Sequence, residues 1–149
     1  MEILPVSEEK KAYLDLLLQA DEQESMIDRY LDRGEMFLLL DCDEAIGVCV
    51  VTDEGNGIFE LKNIAIRQDC RRKGYGTMLV NFVCRMYQAR GDTLLVGTGD
   101  SVSTISFYER CGFVYSHRVT DFFVLNYDHP IWEDGKQLRD MVYLKKCLK

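Results

Sequence analysis

Apolar positions along the chain fall into blocks with two different spacings. After a short opening strand, Ser7 is placed to cap a helix begun by Glu8, Glu9 and Lys10, with Tyr13, Leu14, Leu16, Leu17 and Leu18 as its apolar face. A second helix is predicted through Met26, Ile27, Tyr30 and Leu31, ending at Gly34. The period then shortens. Met36-Phe37-Leu38-Leu39-Leu40 and Ala45-Ile46-Gly47-Val48-Cys49-Val50-Val51 are apolar runs separated by Asp41-Cys42-Asp43-Glu44, which reads as a hairpin. Gly55-Asn56-Gly57 supplies the next turn, and Ile58 to Ile66 completes a three-stranded meander.

Helical spacing returns from Gly74 to Ala89, where Tyr75, Met78, Leu79, Phe82, Val83 and Met86 form one stripe that Gly91 ends. Thr93 to Val96 reads as a fifth strand, Ser103 to Cys111 as a short helix closed by Gly112, and Phe113-Val114-Tyr115 as a sixth strand. This order predicts an α+β domain built on one mixed sheet, because a doubly wound fold needs a more regular alternation of strand and helix.

Length and charge narrow the picture. With 149 residues, 47% hydrophobic content, two prolines and no linker or repeat, residues 1–149 are expected to form a single domain. The net charge of −7 argues against a partner held by phosphate neutralisation, so nucleic acid is not expected. The charge is unevenly placed: residues 1–60 carry 4 basic and 16 acidic side chains, whereas residues 61–91 carry 7 and 1. A basic island in an acidic chain suits an anionic ligand, and the acidic flank suits a cationic one. The six cysteines include no CxxC pair, and neither His117 nor His129 stands at metal-ligand spacing from them, so reduced thiols and no metal are expected. The N-terminus lacks the basic and apolar regions of a signal peptide, and no apolar run has the length of a membrane span. A cytoplasmic protein away from membranes is the expectation.

The most informative segment is Ile64-Ala65-Ile66-Arg67-Gln68-Asp69-Cys70-Arg71-Arg72-Lys73-Gly74-Tyr75-Gly76-Thr77, a strand that runs through a basic glycine turn into a helix. Free N–H groups at a helix start, the helix dipole and glycines that allow close approach make an anion site, and Arg71, Arg72 and Lys73 add full charges. The GxxxxGK[ST] spacing of a phosphate-binding P-loop is absent, and Gly74-Tyr75-Gly76 is too short for GxGxxG.

Here the sequence resembles the GNAT superfamily of acyl-CoA-dependent N-acyltransferases. Arg71-Arg72-Lys73-Gly74-Tyr75-Gly76 fits the family's [RQ]-x-x-G-x-[GA] motif, which holds the pyrophosphate of coenzyme A. Phe107-Tyr108-Glu109-Arg110-Cys111-Gly112-Phe113 resembles its later [LF]-Y-x-x-x-G-F block. The resemblance implies the GNAT fold of a single-domain bacterial-type member, a mixed and mostly antiparallel sheet of six to seven strands with helices on both faces. It also implies acetyl-CoA as co-substrate, with Arg71 to Thr77 at the diphosphate. Backbone groups of Ile64, Ala65 and Ile66 would lie along the pantetheine arm, where the fourth strand splays from the fifth. One departure concerns Ser101, which stands where many members carry Asn; Asp100, Ser101 and Ser103 are alternative contacts to the arm.

Acetyl transfer to an amine needs a neutral amine, a polarised carbonyl and a proton for the departing thiolate. The resemblance implies Glu60, six residues before Ile66, as general base, and Tyr108 as proton donor to the thiolate. Cys70 and Cys111 raise a ping-pong route, but no histidine lies near either in sequence. Tyr127 to Gly135 is a polar and aromatic loop, either a cover for the acceptor pocket or a surface hairpin anchored by Trp132. The expected function is direct acetylation of a primary amine on a cationic acceptor, a small molecule or a protein amine, in a ternary complex. The alternative is a non-catalytic acyl-CoA-binding sensor or interaction module. A third reading, a protein that binds other nucleotides, lacks the acidic ribose-binding signal. A homodimer is compatible with the sequence.

Overall fold

The computed structural model describes residues Met1–Lys149. A seven-stranded sheet runs in the order β1-β2-β3-β4-β5-β9-β6, from β1 (Glu2–Val6), β2 (Glu35–Asp41), β3 (Glu44–Gly55), β4 (Ile58–Ile66), β5 (Thr93–Gly99), β6 (Val114–Val119) and β9 (Met141–Cys147). A two-residue hairpin, β7 (Trp132–Glu133) with β8 (Lys136–Gln137), stands apart from it. All pairs in the main sheet are antiparallel except β4 with β5. Five helices complete the chain: α1 (Leu14–Ala20), α2 (Glu24–Ile27), α3 (Tyr75–Tyr87), α4 (Val102–Arg110) and α5 (Phe122–Asn126). No helix is long and apolar enough to cross a membrane.

The unbroken apolar runs of β2 and β3 exist because both faces of the sheet are covered. Phe37, Leu39, Cys49 and Val51 pack on one face with Leu79, Val80 and Val83 of α3 and with Tyr108 of α4. Met36, Leu38, Val48 and Val50 pack on the other with Leu16 and Leu17 of α1, Ile27 of α2, and Tyr30 and Leu31. Burying a side chain of this size contributes roughly 1.5–3 kcal/mol, so the two clusters account for most of the drive to form the sheet.

Three expectations need correction. Ser7 caps nothing: Glu9 takes a left-handed conformation at φ 51°, a 3₁₀ turn over Lys10–Tyr13 follows, and α1 begins only at Leu14. The second helix is a single turn, and residues 28–34 continue as turns. Lys10 donates to the carbonyl oxygens of Leu31 (2.9 Å) and Gly34 (2.7 Å), so the bend at Gly34 is held from outside the helix. In α3, Met78 and Met86 face solvent; the buried stripe is Leu79, Val80, Val83 and Tyr87.

The feature that positions the site is a flaw in β4. Val50 pairs with Asn63 and Val51 with Leu61, so Lys62 is an extra residue, a β-bulge. Before it, Phe59 and Leu61 face α3; after it, Ile64 and Ile66 pack on that side, and Asn63 and Ala65 face α1. The same bulge bends β4 away from β5. Their parallel pairing covers only Ile58 to Leu61 against Thr93 to Val96. Beyond it the strands diverge, and the backbone edge of Lys62 to Ile66 faces an open wedge.

Candidate active site

Two cavities meet in this wedge. The larger, about 570 Å³, lies between Ile64, Ala65 and Ile66 of β4, the start of α3 and the α4 residues Ser103, Thr104, Phe107, Tyr108 and Arg110. The smaller, about 380 Å³, lies on the other side, between Leu61 to Ile64 of β4, Val96 to Gly99 of β5 and the end of α1. It is roofed by Phe123, Tyr127, Ile131 and Trp132. Gln19, Ile64, Thr104 and Tyr108 line both, so the cavities adjoin at these residues.

The larger cavity has the makings of an anion site. Gly74 sits at φ 85°, a conformation that side chains disfavour, and an added Cβ there would project into open space. The first α3 bond runs from the Met78 amide to the Gly74 carbonyl, which leaves the amides of Tyr75, Gly76 and Thr77 without intrahelical partners. Gly76 lies against Phe107, whose ring would stand 3.2 Å from an added Cβ, so α4 packs directly on the start of α3. Arg71 is pinned by hydrogen bonds to the Ile66 carbonyl (3.0 Å) and to Gln19 Oε1 (2.9 Å). Arg71, Arg72, Gly74, Tyr75, Gly76 and Thr77 all line this cavity; Lys73 lines neither.

Tyr108 is 5% exposed, packed edge-on between Phe107 and Phe113 (ring centroids 5.1 and 5.5 Å), and no protein group hydrogen-bonds its hydroxyl. Burial, reinforced by Cys111 and Glu133, pushes its pKa well above the ordinary tyrosine range, so the hydroxyl holds its proton. Glu60 is also buried, and burial raises its pKa against the opposing charge of Lys62, whose Nζ lies 3.1 Å away. Glu60 lines neither cavity; Lys62 lines the smaller one, with Glu60 behind it.

The three alternative contacts at the start of α4 are placed differently from one another. Asp100 pairs with Arg118 (3.0 Å) and Lys136 (3.7 Å) at the surface. Ser101 and Ser103 both donate to Asp134 Oδ2 (2.8 and 2.5 Å), and Thr104 donates to Glu133 Oε1 (2.5 Å). The β7–β8 hairpin is thereby tied to α4. Ser103 lines the larger cavity and Ser101 neither. Trp132 is no anchor, being 61% exposed; Phe123, Ile131 and Leu138 hold the segment down as a small core of their own. All six cysteines are free; Cys70 lines the larger cavity and Cys111 neither, and burial raises the Cys111 thiol.

Sequence reading missed the polar lining of the smaller cavity. Asp21 accepts hydrogen bonds from Tyr30 (2.9 Å) and Tyr127 (2.6 Å), and burial raises its pKa despite both. Asn63 donates to the Leu17 carbonyl (3.0 Å) and the Tyr30 hydroxyl (3.1 Å). A polar residue inside a strand covered on both faces was the available signal for Asn63. Asp21 had none, because its partners lie 9 and 106 residues away.

A family model described as acetyltransferase (GNAT) domain matches residues 32–115, which hold the wedge, the glycine loop and Tyr108. A Bacillus subtilis (strain 168) protein named uncharacterized N-acetyltransferase YvbK is 39% identical over 132 residues, covering 87% of this chain and 85% of its own. A solved GNAT family acetyltransferase from Elizabethkingia anophelis with acetyl-CoA bound has a TM-score of 0.92 at 33% identity, over 97% of this chain and 95% of that one. A Bacillus subtilis acetyltransferase in complex with CoA gives 0.89 at 36% identity, over 97% and 96%. With the wedge and the glycine loop in place, this match over more than half of the chain means that the protein belongs to the GNAT family of acetyltransferases.

Proposed function

We propose that the protein transfers the acetyl group of acetyl-CoA to a primary amine of a cationic acceptor, by direct attack in a ternary complex. The observation that carries this reading is the pair of cavities sharing Tyr108 and Ile64, one lined by helix-start amides and arginines, the other by carboxylates. A donor and an acceptor held on opposite sides of the β4 edge would meet there without leaving their sites, and holding two reactants in contact supplies much of a bimolecular rate enhancement.

Each residue then has a defined task. The amides of Tyr75, Gly76 and Thr77 receive the diphosphate oxygens, with Arg71 and Arg72 adding charge. The backbone edge of Ile64 to Ile66, which no strand covers and where Arg71 already takes the Ile66 carbonyl, binds the pantetheine arm and orients the thioester carbonyl. The acceptor amine attacks as the neutral form; Tyr108, kept protonated by burial, gives its proton to the sulfur as the C–S bond breaks and takes back the proton that the nitrogen sheds once the N–C bond has formed. Glu60 stands behind Lys62 and is a positioning residue: it fixes and neutralises that ammonium, so that Lys62 does not repel an incoming cation. The carboxylates that line the acceptor cavity are Asp21, Glu22 and Glu133 against Lys62, an electrostatic balance that draws in an amine carrying positive charge.

A thiol-release assay with acetyl-CoA over pooled amines tests this, beside calorimetric titration with coenzyme A. Turnover is expected with cationic amines. Turnover with neutral or anionic acceptors alone would overturn the cationic acceptor, and failure to bind coenzyme A would overturn the donor site.

A further inference from the structure

We infer that Asp21 is the charge partner of the acceptor, the carboxylate that holds its ammonium group in the smaller cavity; this rests on the acetyl-transfer reading above. Asp21 ends α1, where the helix dipole disfavours negative charge, and it is partly buried, which disfavours it further. Buried carboxylates are ordinarily paired with a cation. Asp21 takes part in no ion pair in the protein; its only side-chain partners are two phenols.

The surrounding hydrogen bonds set the direction of each proton. Asn63 Nδ2 donates to the Tyr30 oxygen, so the single Tyr30 proton is free to go to Asp21 Oδ2. Tyr127, from the segment that roofs the cavity, donates to Oδ1. Asp21 is therefore held as an acceptor on both oxygens. The arrangement carries a cost at its far end: Asn63, 3% exposed and lining the same cavity, has a buried Oδ1 with no hydrogen-bond partner. An orphaned buried acceptor costs about 1–3 kcal/mol. Asn63 and Asp21 thus line one cavity, the first with an unpartnered carbonyl oxygen and the second with a carboxylate that no cation in the protein pairs. An ammonium group, with three N–H donors and a positive charge, is the ligand chemistry that satisfies both.

The test uses n-butylammonium and its neutral counterpart n-butanol as probes, titrated into the 149-residue protein saturated with coenzyme A. Wild type is expected to bind n-butylammonium and to discriminate against n-butanol. Asp21→Asn keeps the shape but removes the charge; it is expected to weaken n-butylammonium roughly 10–100-fold, the range of a lost charge-assisted hydrogen bond. Coenzyme A affinity and thermal stability should stay near wild type. Tyr127→Phe, which leaves the charge but frees one oxygen, should weaken binding less. Equal binding of n-butylammonium by wild type and Asp21→Asn, or no binding by wild type that still binds coenzyme A, would overturn the inference and leave the donor site standing. Failure of wild type to bind coenzyme A would instead overturn the acetyl-transfer reading.

Discussion

Replacing Tyr108 with Phe removes one oxygen atom and leaves everything that packs. The ring stays wedged between Phe107 and Phe113, and because the hydroxyl has no protein partner, no hydrogen bond is lost from the fold. Stability should change by well under about 1 kcal/mol, less than one ordinary hydrogen bond. Catalysis should change far more. General-acid assistance is worth about 10²–10⁴-fold, which at about 1.36 kcal/mol per decade is roughly 2.7–5.4 kcal/mol of transition-state stabilisation. The loss belongs in kcat, since the proton is needed only as the C–S bond breaks, and KM for acetyl-CoA should hold. Because burial raises the Tyr108 pKa, wild type keeps the proton through neutral and mildly alkaline pH, and no alkaline limb of its rate profile in that range should vanish in the variant. Thiol release at saturating acceptor, with a melting curve and a coenzyme A titration on the same sample, gives all three quantities. Unchanged kcat refutes the acid role; joint collapse of stability and coenzyme A affinity makes the tyrosine structural.

Gly74→Val should lower coenzyme A affinity, because its branches would project into the open space before the free amides, at a φ of 85° that a β-branched residue resists; unchanged affinity in calorimetry would refute the loop assignment. For a cationic acceptor kcat/KM should fall as salt rises, while a neutral acceptor shows no such slope; a flat response for both would remove electrostatic steering. Glu60 has a folded pKa raised above its unfolded value, so its contribution to stability is fully present below the unfolded pKa and is lost as pH rises through the folded one. Glu60→Gln, which mimics the protonated form, should therefore gain in melting temperature relative to wild type as pH rises from about 4 toward neutrality. A difference independent of pH would mean that burial does not raise the Glu60 pKa.

The sheet, the glycine loop and Tyr108 were legible because each is written in contiguous residues: apolar runs between turn residues, a basic glycine turn after a strand, a tyrosine four residues before Gly112-Phe113. The bulge at Lys62 was not. Strict alternation along Ile58 to Ile66 puts Glu60, Lys62, Ile64 and Ile66 on one face, whereas the extra residue reverses the phase and leaves Glu60 behind Lys62 and away from both cavities. Nor did periodicity distinguish Met78 and Met86 from Val80 and Tyr87, since both sets keep helical spacing and only tertiary contact decides which is covered. The smaller cavity was the least legible, because Asp21, Asn63 and Tyr127 meet only after β4 has bent and α5 has folded over it.

The divergence of β4 from β5 also makes the molecule mechanically two plates. One is β1 to β4; the other is β5, β9 and β6, and only four residue pairs stitch them directly. Parallel pairing of that length is a weak seam beside the seven pairs that join β5 to β9. The donor, lying along the unpaired edge of β4 with its diphosphate on α3 and its thioester beside α4, would span the seam as a cross-brace does. Acetyl-CoA would then be a structural member of its own enzyme while bound, stiffening the angle between the plates during the transfer, and the departure of coenzyme A would return the seam to its loose state.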